Sequence, residues 1–197
     1  EINEKIIDEY PDNLHIKNLF ALTLKSVGRF EDSKKAFHEI IKNNIKNPEI
    51  AYVYTNTANL YYDIGQINSA ITFHEAAIQL NPEAINSYLG LGLAFSNQGD
   101  NEKAVNFFSK GLDLKNEDEN LNYNMAMALR KLERYREASN YYSKTNMSLS
   151  NSYKLECLYL DLDKETKFEE FENFLKDINA RNHYNPLIAS ISEHSSI

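Results

Sequence analysis

The chain has 197 residues, of which 42% are hydrophobic and 12% aromatic, enough apolar material for a continuous core, which excludes an intrinsically disordered class. Its net charge of −8 and its pI near 5.2 exclude general binding to a nucleic-acid backbone, because that mode needs a basic face. The single cysteine, Cys157, excludes an intrachain disulfide and a thiolate metal cluster, and no apolar run approaches the roughly 18 residues that span a bilayer.

The chain begins inside what we interpret as the second helix of a preceding repeat, residues 1–13. Pro11 lies just before the next pattern, which starts at Leu14, and Pro48 and Pro82 have the same place before the two patterns that follow. Proline after a helix marks the end of one unit, because it cannot continue the helix. We therefore expect the chain to be a piece of a longer array.

Residues 51–84 contain two amphipathic helical patterns joined by a short turn, and this arrangement recurs with a period of about 34 residues. The corresponding positions in three successive repeats are Tyr54, Tyr88 and Asn122; Thr57, Leu91 and Met125; Ala58, Gly92 and Ala126; Tyr61, Phe95 and Leu129; Gly65, Gly99 and Glu133; Ala70, Ala104 and Ala138; and Phe73, Phe107 and Tyr141. Small and large side chains that return together predict stacked helix pairs, here with limits at 14–50, 51–84, 85–118 and 119–151.

The first and fourth repeats depart from this period. The interval from Ser33 to Ala70 exceeds it by about three residues, nearly one α-helical turn, so we expect the second helix of the first repeat to be one turn longer. In the fourth repeat Glu133 replaces the turn glycine, which predicts a strained or differently built turn. Its second helix should end early, in the polar run 143–152.

The last part of the chain follows the pattern loosely. Residues 152–185 carry two apolar stripes and predict a degenerate fifth helix pair, which we expect to splay because Tyr159 and Phe171 stand where earlier repeats have small residues. Residues 186–197, after an Asn-Pro helix start, predict a closing helix or the start of a truncated region.

The combination of aromatic, small residue, aromatic, glycine, alanine, aromatic and proline at this period resembles the tetratricopeptide repeat (TPR). The resemblance covers residues 14–151 well and the flanking segments loosely. It implies an all-α fold, a right-handed superhelical solenoid of antiparallel helix pairs, whose first helices line a concave groove. It also implies a non-catalytic adaptor that binds a peptide or helix of another protein.

Helical spacing places a further set of residues on the inner side of the first helices. Our candidate groove residues are Asn18, Leu22, Lys25, Tyr52, Thr55, Asn56, Asn59, Tyr62, Asn86, Leu89, Leu93, Asn97, Asn120, Tyr123, Asn124, Met127, Arg130 and Lys131, with His15, Asp63 and Ser96 beside them. Asparagine can hold a peptide backbone and tyrosine gives contact area at small entropic cost. The resemblance adds an asparagine ladder at Asn56 and Asn124, interrupted by Gly90. Asparagine is abundant throughout the chain, so the alternative interpretation is an ordinary solvated helix face.

An acidic ligand is a further possibility, because Lys25, Arg130 and Lys131 lie among the groove residues. The pattern departs, however, from the TPR modules that clamp a terminal carboxylate, since Asn18 stands where a lysine is expected and Leu22 where an asparagine is expected. No phosphate loop, nucleophile elbow or metal-ligand spacing occurs, so we expect no cofactor, no bound metal and no catalysis.

The sequence leaves two alternative functions open. Residues 168–197 weakly resemble the segment before an Fe(II)/2-oxoglutarate oxygenase domain in some bacterial TPR proteins, which implies the helical N-terminal part of a larger enzyme. Uncapped repeat ends favour a homodimer through those ends. We expect a partner protein or peptide, no nucleic acid, no membrane insertion and a cytoplasmic location.

Overall fold

The computed structural model describes residues 12–44, 47–146 and 150–161. Their secondary structure is helical, in chain order: α1 Leu14–Ser26, α2 Phe30–Asn43, a 3-10 turn Pro48–Ile50, α3 Ala51–Asp63, α4 Ile67–Leu80, α5 Ile85–Asn97, α6 Asn101–Leu114, α7 Glu119–Lys131, α8 Tyr135–Tyr142 and α9 Ser150–Leu160. The all-α prediction is therefore confirmed for this part of the chain. The predicted remnant 1–13 lies almost wholly outside the described residues, as do 162–185 of the fifth pair, the segment 186–197 and the oxygenase-like stretch 168–197.

Consecutive helices pack as pairs. Helix α1 packs on α2, α3 on α4, α5 on α6 and α7 on α8, while α9 packs on α8. Helices α3, α5 and α7 begin at Ala51, Ile85 and Glu119, at equal intervals along the chain. Helix α8 has 8 residues where α4 and α6 have 14, so the predicted early end of the fourth second helix is confirmed.

The turn inside each pair depends on one residue in the left-handed backbone conformation. Gly28, Gly65 and Gly99 have φ angles of 79°, 78° and 85°, and Glu133 has a φ of 61° in the same place. A residue with a Cβ pays a steric cost in this region that glycine does not. The fourth turn therefore has the same left-handed conformation as the others, and its strain stays a prediction.

The small residues lie where each pair crosses. Ala58, Ala70, Ala104, Ala126 and Ala138 are fully buried. Gly92 is buried as well, and a Cβ added there would overlap the ring of Phe108. Close crossing over small side chains explains why these positions recur.

The second helices carry two rows of large, mainly aromatic side chains. Phe73 and Phe107 stack on Tyr61 and Phe95, with ring centroids 5.1 and 5.4 Å apart, and thus fill space beside the crossing. The fully buried row lies one residue further along each second helix, at Phe37, His74, Phe108 and Tyr142. The periodicity does not separate the two rows, because Phe107–Phe108 and Tyr141–Tyr142 are both aromatic pairs.

The prediction of a longer second helix in the first repeat is wrong. Helix α2 has 14 residues, the same length as α4 and α6. It ends because Asn44 bonds back to the last turn, with its side-chain nitrogen donating to the carbonyl of Ile40 at 2.9 Å. The extra residues lie in the linker, where Asn47 caps the 3-10 turn that leads into α3.

The chain divides into two compact units, an N-terminal unit Glu1–Lys115 and a C-terminal unit Asn116–Ile197. In the N-terminal unit the first helices α1, α3 and α5 contact one another in order, and each of α2 and α4 also contacts the first helix that follows it. The candidate face of this unit is therefore built on three adjoining helices.

Candidate ligand-binding face

The first helices of the N-terminal unit present a set of residues that we call the first-helix face. It comprises His15, Leu19, Leu22 and Lys25 of α1; Tyr52, Asn56, Asn59, Tyr62 and Asp63 of α3; and Asn86, Leu89, Leu93, Ser96 and Asn97 of α5. Leu19 is 63% exposed, and Leu22, Leu89 and Leu93 are half-buried. The leucines thus lie on α1 and α5, and the amides and tyrosines of α3 lie between these two helices in the order of contact.

Asn18 and Thr55, which the sequence assigns to the groove, are instead buried between helices. Asn18 is 8% exposed, and its Oδ1 accepts a hydrogen bond from Nδ2 of Asn56 at 2.9 Å. This amide pair joins α1 to α3. An amide that donates one hydrogen retains an acceptor oxygen and a second hydrogen. Asn56 can therefore still meet a peptide backbone.

Two further contacts join α1 to α3. The rings of His15 and Tyr52 stack with centroids 5.4 Å apart. Lys25 Nζ lies 2.6 Å from a carboxylate oxygen of Asp63. The hydroxyl of Tyr52 is buried without a partner among the described residues, and burial, with a smaller contribution from the charge of Glu49, raises its pKa. The three contacts fix the rotation of α1 against α3.

The junction between α3 and α5 is built differently, around a buried histidine. Thr55 Oγ1 lies 2.7 Å from Ser87 Oγ, which in turn lies 3.4 Å from Nδ1 of His74. His74 is fully buried, and this burial lowers its pKa from 6.5 to about 4. A neutral imidazole therefore forms part of the core at neutral pH.

Gly90 interrupts the predicted asparagine ladder because His74 fills the space. A Cβ at Gly90 would overlap the imidazole. Sequence reasoning missed this pairing, although it left a signal: a histidine at a position that is otherwise aromatic, opposite a glycine at a position where neighbouring repeats have asparagine.

In the C-terminal unit, several predicted groove residues pack against neighbouring helices. The hydroxyl of Tyr142 donates to Sδ of Met127 at 2.9 Å. The ring of Tyr123 lies 5.9 Å from that of Tyr142 and 6.5 Å from that of Tyr153. Met127 of α7 is therefore held by α8, and Tyr123 of α7 is held by both α8 and α9.

Arg130 of α7 is also engaged within the C-terminal unit. Its guanidinium lies 2.5 Å from Glu156 and 5.3 Å from the ring centroid of Tyr153. Lys131 is exposed and takes part in an interaction within the structure. Asn120 is exposed as well, and its carbonyl accepts a hydrogen bond from the side chain of Asn124 at 2.8 Å. Each of the three cations proposed to attract an acidic ligand thus has an interaction already.

Within the described residues, no cluster of three or more His, Cys, Asp or Glu side chains has an arrangement that could hold a metal ion. None of the described helices is both long enough and apolar enough to cross a membrane.

Helix pairs with small residues at each crossing, and first helices that adjoin one another within the N-terminal unit, define an α-helical repeat protein. Family models then identify the repeats: one described as TPR repeat matches residues 58–99, and one described as Tetratricopeptide repeat matches residues 85–118 and 120–144. The chain therefore carries tetratricopeptide repeats, and its described part has the fold of a TPR solenoid.

Known proteins agree with this assignment. The chain is 33% identical over 84 residues to the TPR repeat-containing protein MJ1428 of Methanocaldococcus jannaschii, an alignment that covers 43% of this chain and 15% of that protein. Among solved structures, PilF of Pseudomonas aeruginosa superposes with a TM-score of 0.73 at 16% identity, covering 98% of this chain and 86% of that one. YrrB, a TPR protein with an unusual peptide-binding site, superposes with a TM-score of 0.68 at 17% identity, and the match covers 93% of this chain and 94% of YrrB. These two similarities show the fold alone.

Proposed function

We propose that this chain is a protein-interaction module, and that the first-helix face of its N-terminal unit binds a segment of a partner polypeptide. The observation that carries the proposal is a set of accessible aliphatic side chains on the outer two of three adjoining helices, Leu19 and Leu22 of α1 and Leu89 and Leu93 of α5. The helix between them, α3, contributes the amides of Asn56 and Asn59. Apolar side chains flanked by groups that can hydrogen-bond to a backbone are typical of peptide-binding surfaces.

Two considerations support this proposal. TPR proteins bind peptides or proteins, and YrrB, which shares the fold, has a peptide-binding site. The contacts that join α1 to α3 hold the face in one arrangement before a ligand arrives, which reduces the entropy lost on binding. We also propose that the chain is not itself a catalyst, since TPR repeats are generally scaffolds.

The test compares capture of partner proteins from a native lysate by the wild-type chain and by matched variants. Leu93→Glu and Leu19→Glu place a charge on the face. Leu114→Glu places the same charge on α6, where Leu114 is 44% exposed and belongs to a second helix. The double variant Asn56→Ala/Asn59→Ala removes the amides. Circular dichroism establishes that each variant keeps its helicity.

We expect partners held by the wild type and by Leu114→Glu to be lost with Leu93→Glu and with the amide double variant. Partners that remain bound to all face variants, or that are lost only with Leu114→Glu, would place the binding surface elsewhere on the chain.

A further inference from the structure

We infer that the segment recognised by the first-helix face is uncharged: an apolar stretch that carries amide or hydroxyl side chains, rather than an acidic tail or a free carboxyl terminus. This inference depends on the proposed function, because it specifies the ligand of that same face. It departs from the acidic ligand that Lys25, Arg130 and Lys131 suggest in the sequence.

The charge of the face carries the inference. With histidine counted as neutral, the formal charges among its residues are those of Lys25 and Asp63, which lie 2.6 Å apart and cancel. Elsewhere the chain is rich in charge, since 25% of all residues are charged and the net charge is −8. A neutral surface on a strongly acidic protein selects against charged ligands of either sign.

The ion pair gives the selection a mechanism. The side chains of Lys25 and Asp63 are 22% and 47% exposed, so the carboxylate is the more accessible of the two. An acidic residue that approached Lys25 would meet Asp63 first and would have to displace it. A basic residue attracted to Asp63 would in turn have to displace Lys25. An uncharged segment leaves the pair intact.

The remaining groups of the face suit such a segment. The half-buried Leu22, Leu89 and Leu93 can pack against apolar side chains. Asn56 keeps hydrogen-bonding capacity after its bond to Asn18, and Asn59 lies one turn further along α3. Three first helices about 9 Å apart span roughly 20 Å, a distance that about six extended residues cover.

The experiment uses three pools of randomised peptides of about 12 residues, acetylated and amidated to remove terminal charges. The neutral pool contains Leu, Val, Phe, Asn, Ser and Gly. The acidic pool replaces every third position by Asp or Glu, and the basic pool replaces it by Lys or Arg. Retention on the immobilised wild-type chain is measured at low and at high salt.

We expect the neutral pool to be retained at least about tenfold more strongly than either charged pool, with little dependence on salt. In Asp63→Asn, which releases Lys25, we expect retention of the acidic pool to rise severalfold. Asp32→Asn makes the same change in net charge on α2, where Asp32 lies 2.8 Å from Arg29, and should leave all three pools unchanged.

Stronger retention of a charged pool by the wild type, or no change in the acidic pool with Asp63→Asn, would overturn the inference. Failure of the proposed function has a different signature, because retention would then be absent or unaffected by Leu93→Glu. If Leu93→Glu abolishes retention of a charged pool, the face is the binding surface and only the inference about charge is wrong.

Discussion

The imidazole of His74 occupies the space that a side chain on Gly90 would need. The histidine lies in the fully buried row that otherwise holds Phe37, Phe108 and Tyr142. Its Nδ1 lies 3.4 Å from the hydroxyl oxygen of Ser87, while Nε2 has no hydrogen-bond partner among the described residues. The junction of the second and third repeats therefore depends on a small residue and a neutral ring together.

Gly90→Ala tests this dependence through the sign of a stability change. Inside an exposed helix the substitution would stabilise by roughly 0.5–1 kcal/mol, because glycine is a poor helix former. Here the added methyl meets a fixed, buried ring, so we expect the free energy of unfolding, measured with urea, to fall by about 1–3 kcal/mol. Repeating the substitution in a His74→Ala background supplies the control, because the ring is then absent. An unchanged or raised stability for the single variant would contradict the packing described.

Acidification should destabilise the protein through His74. Its pKa in the folded state is about 4 against an ordinary value of 6.5, so the unfolded chain takes up a proton more readily than the folded one. The contribution of neutral His74 to the free energy of unfolding is complete above about pH 6.5. As the pH falls towards about 4, this contribution is lost at roughly 1.4 kcal/mol per pH unit.

The measurement for this second prediction is urea unfolding between pH 7.5 and 4.5 for the wild type and for His74→Phe, which installs the residue found at Phe37 and Phe108. We expect the variant to lose most of the pH dependence in that range. Equal slopes for the two proteins would show that His74 is not the group responsible.

Glu133→Gly should stabilise the fourth repeat. Glu133 has a φ of 61° at a turn where the other repeats use glycine. Relief of the left-handed conformation is expected to raise the free energy of unfolding by about 1 kcal/mol. Gly99→Ala is the reciprocal control, since a Cβ there meets no atom within 4 Å and the cost comes from the backbone alone. If both substitutions leave stability unchanged, the turn conformation carries no strain.

Cys157 should react slowly with thiol reagents. It is fully buried on α9, and burial raises its pKa to about 11. At pH 8 the thiolate fraction is then about 100-fold below that of an exposed cysteine, and access requires local opening. Alkylation in buffer is compared with alkylation in concentrated urea. Similar rates under the two conditions would contradict the burial of this residue.

The sequence predicted the parts of this fold that depend on side-chain size. Ala58, Ala104 and Ala138 recur because only small residues permit a close crossing, and that constraint is visible in the period. Glu133 was recognisable for the same reason, since it replaced a glycine at a required conformation. Local constraints of this kind leave a regular mark on the sequence.

The lateral contacts of the face left no such mark. Whether Asn56 meets Asn18, or Lys25 meets Asp63, depends on the rotation of one helix against the next, which periodicity does not specify. The sequence pattern also did not determine where the extra residues before α3 lie. A longer α2 and a longer linker both leave Pro48 in the same place, so both fit the pattern. Burial of His74 required the neighbouring glycine to be considered with it.

The central claim is that a partner segment lies on the first-helix face of the N-terminal unit. The most direct test is methyl NMR of leucine-labelled protein during titration with the best-retained peptide of the neutral pool. We predict that the resonances of Leu19, Leu22, Leu89 and Leu93 shift in a saturable manner while Leu114 stays unchanged. Shifts confined to Leu114 and other second-helix leucines, with the face unaffected, would contradict the account.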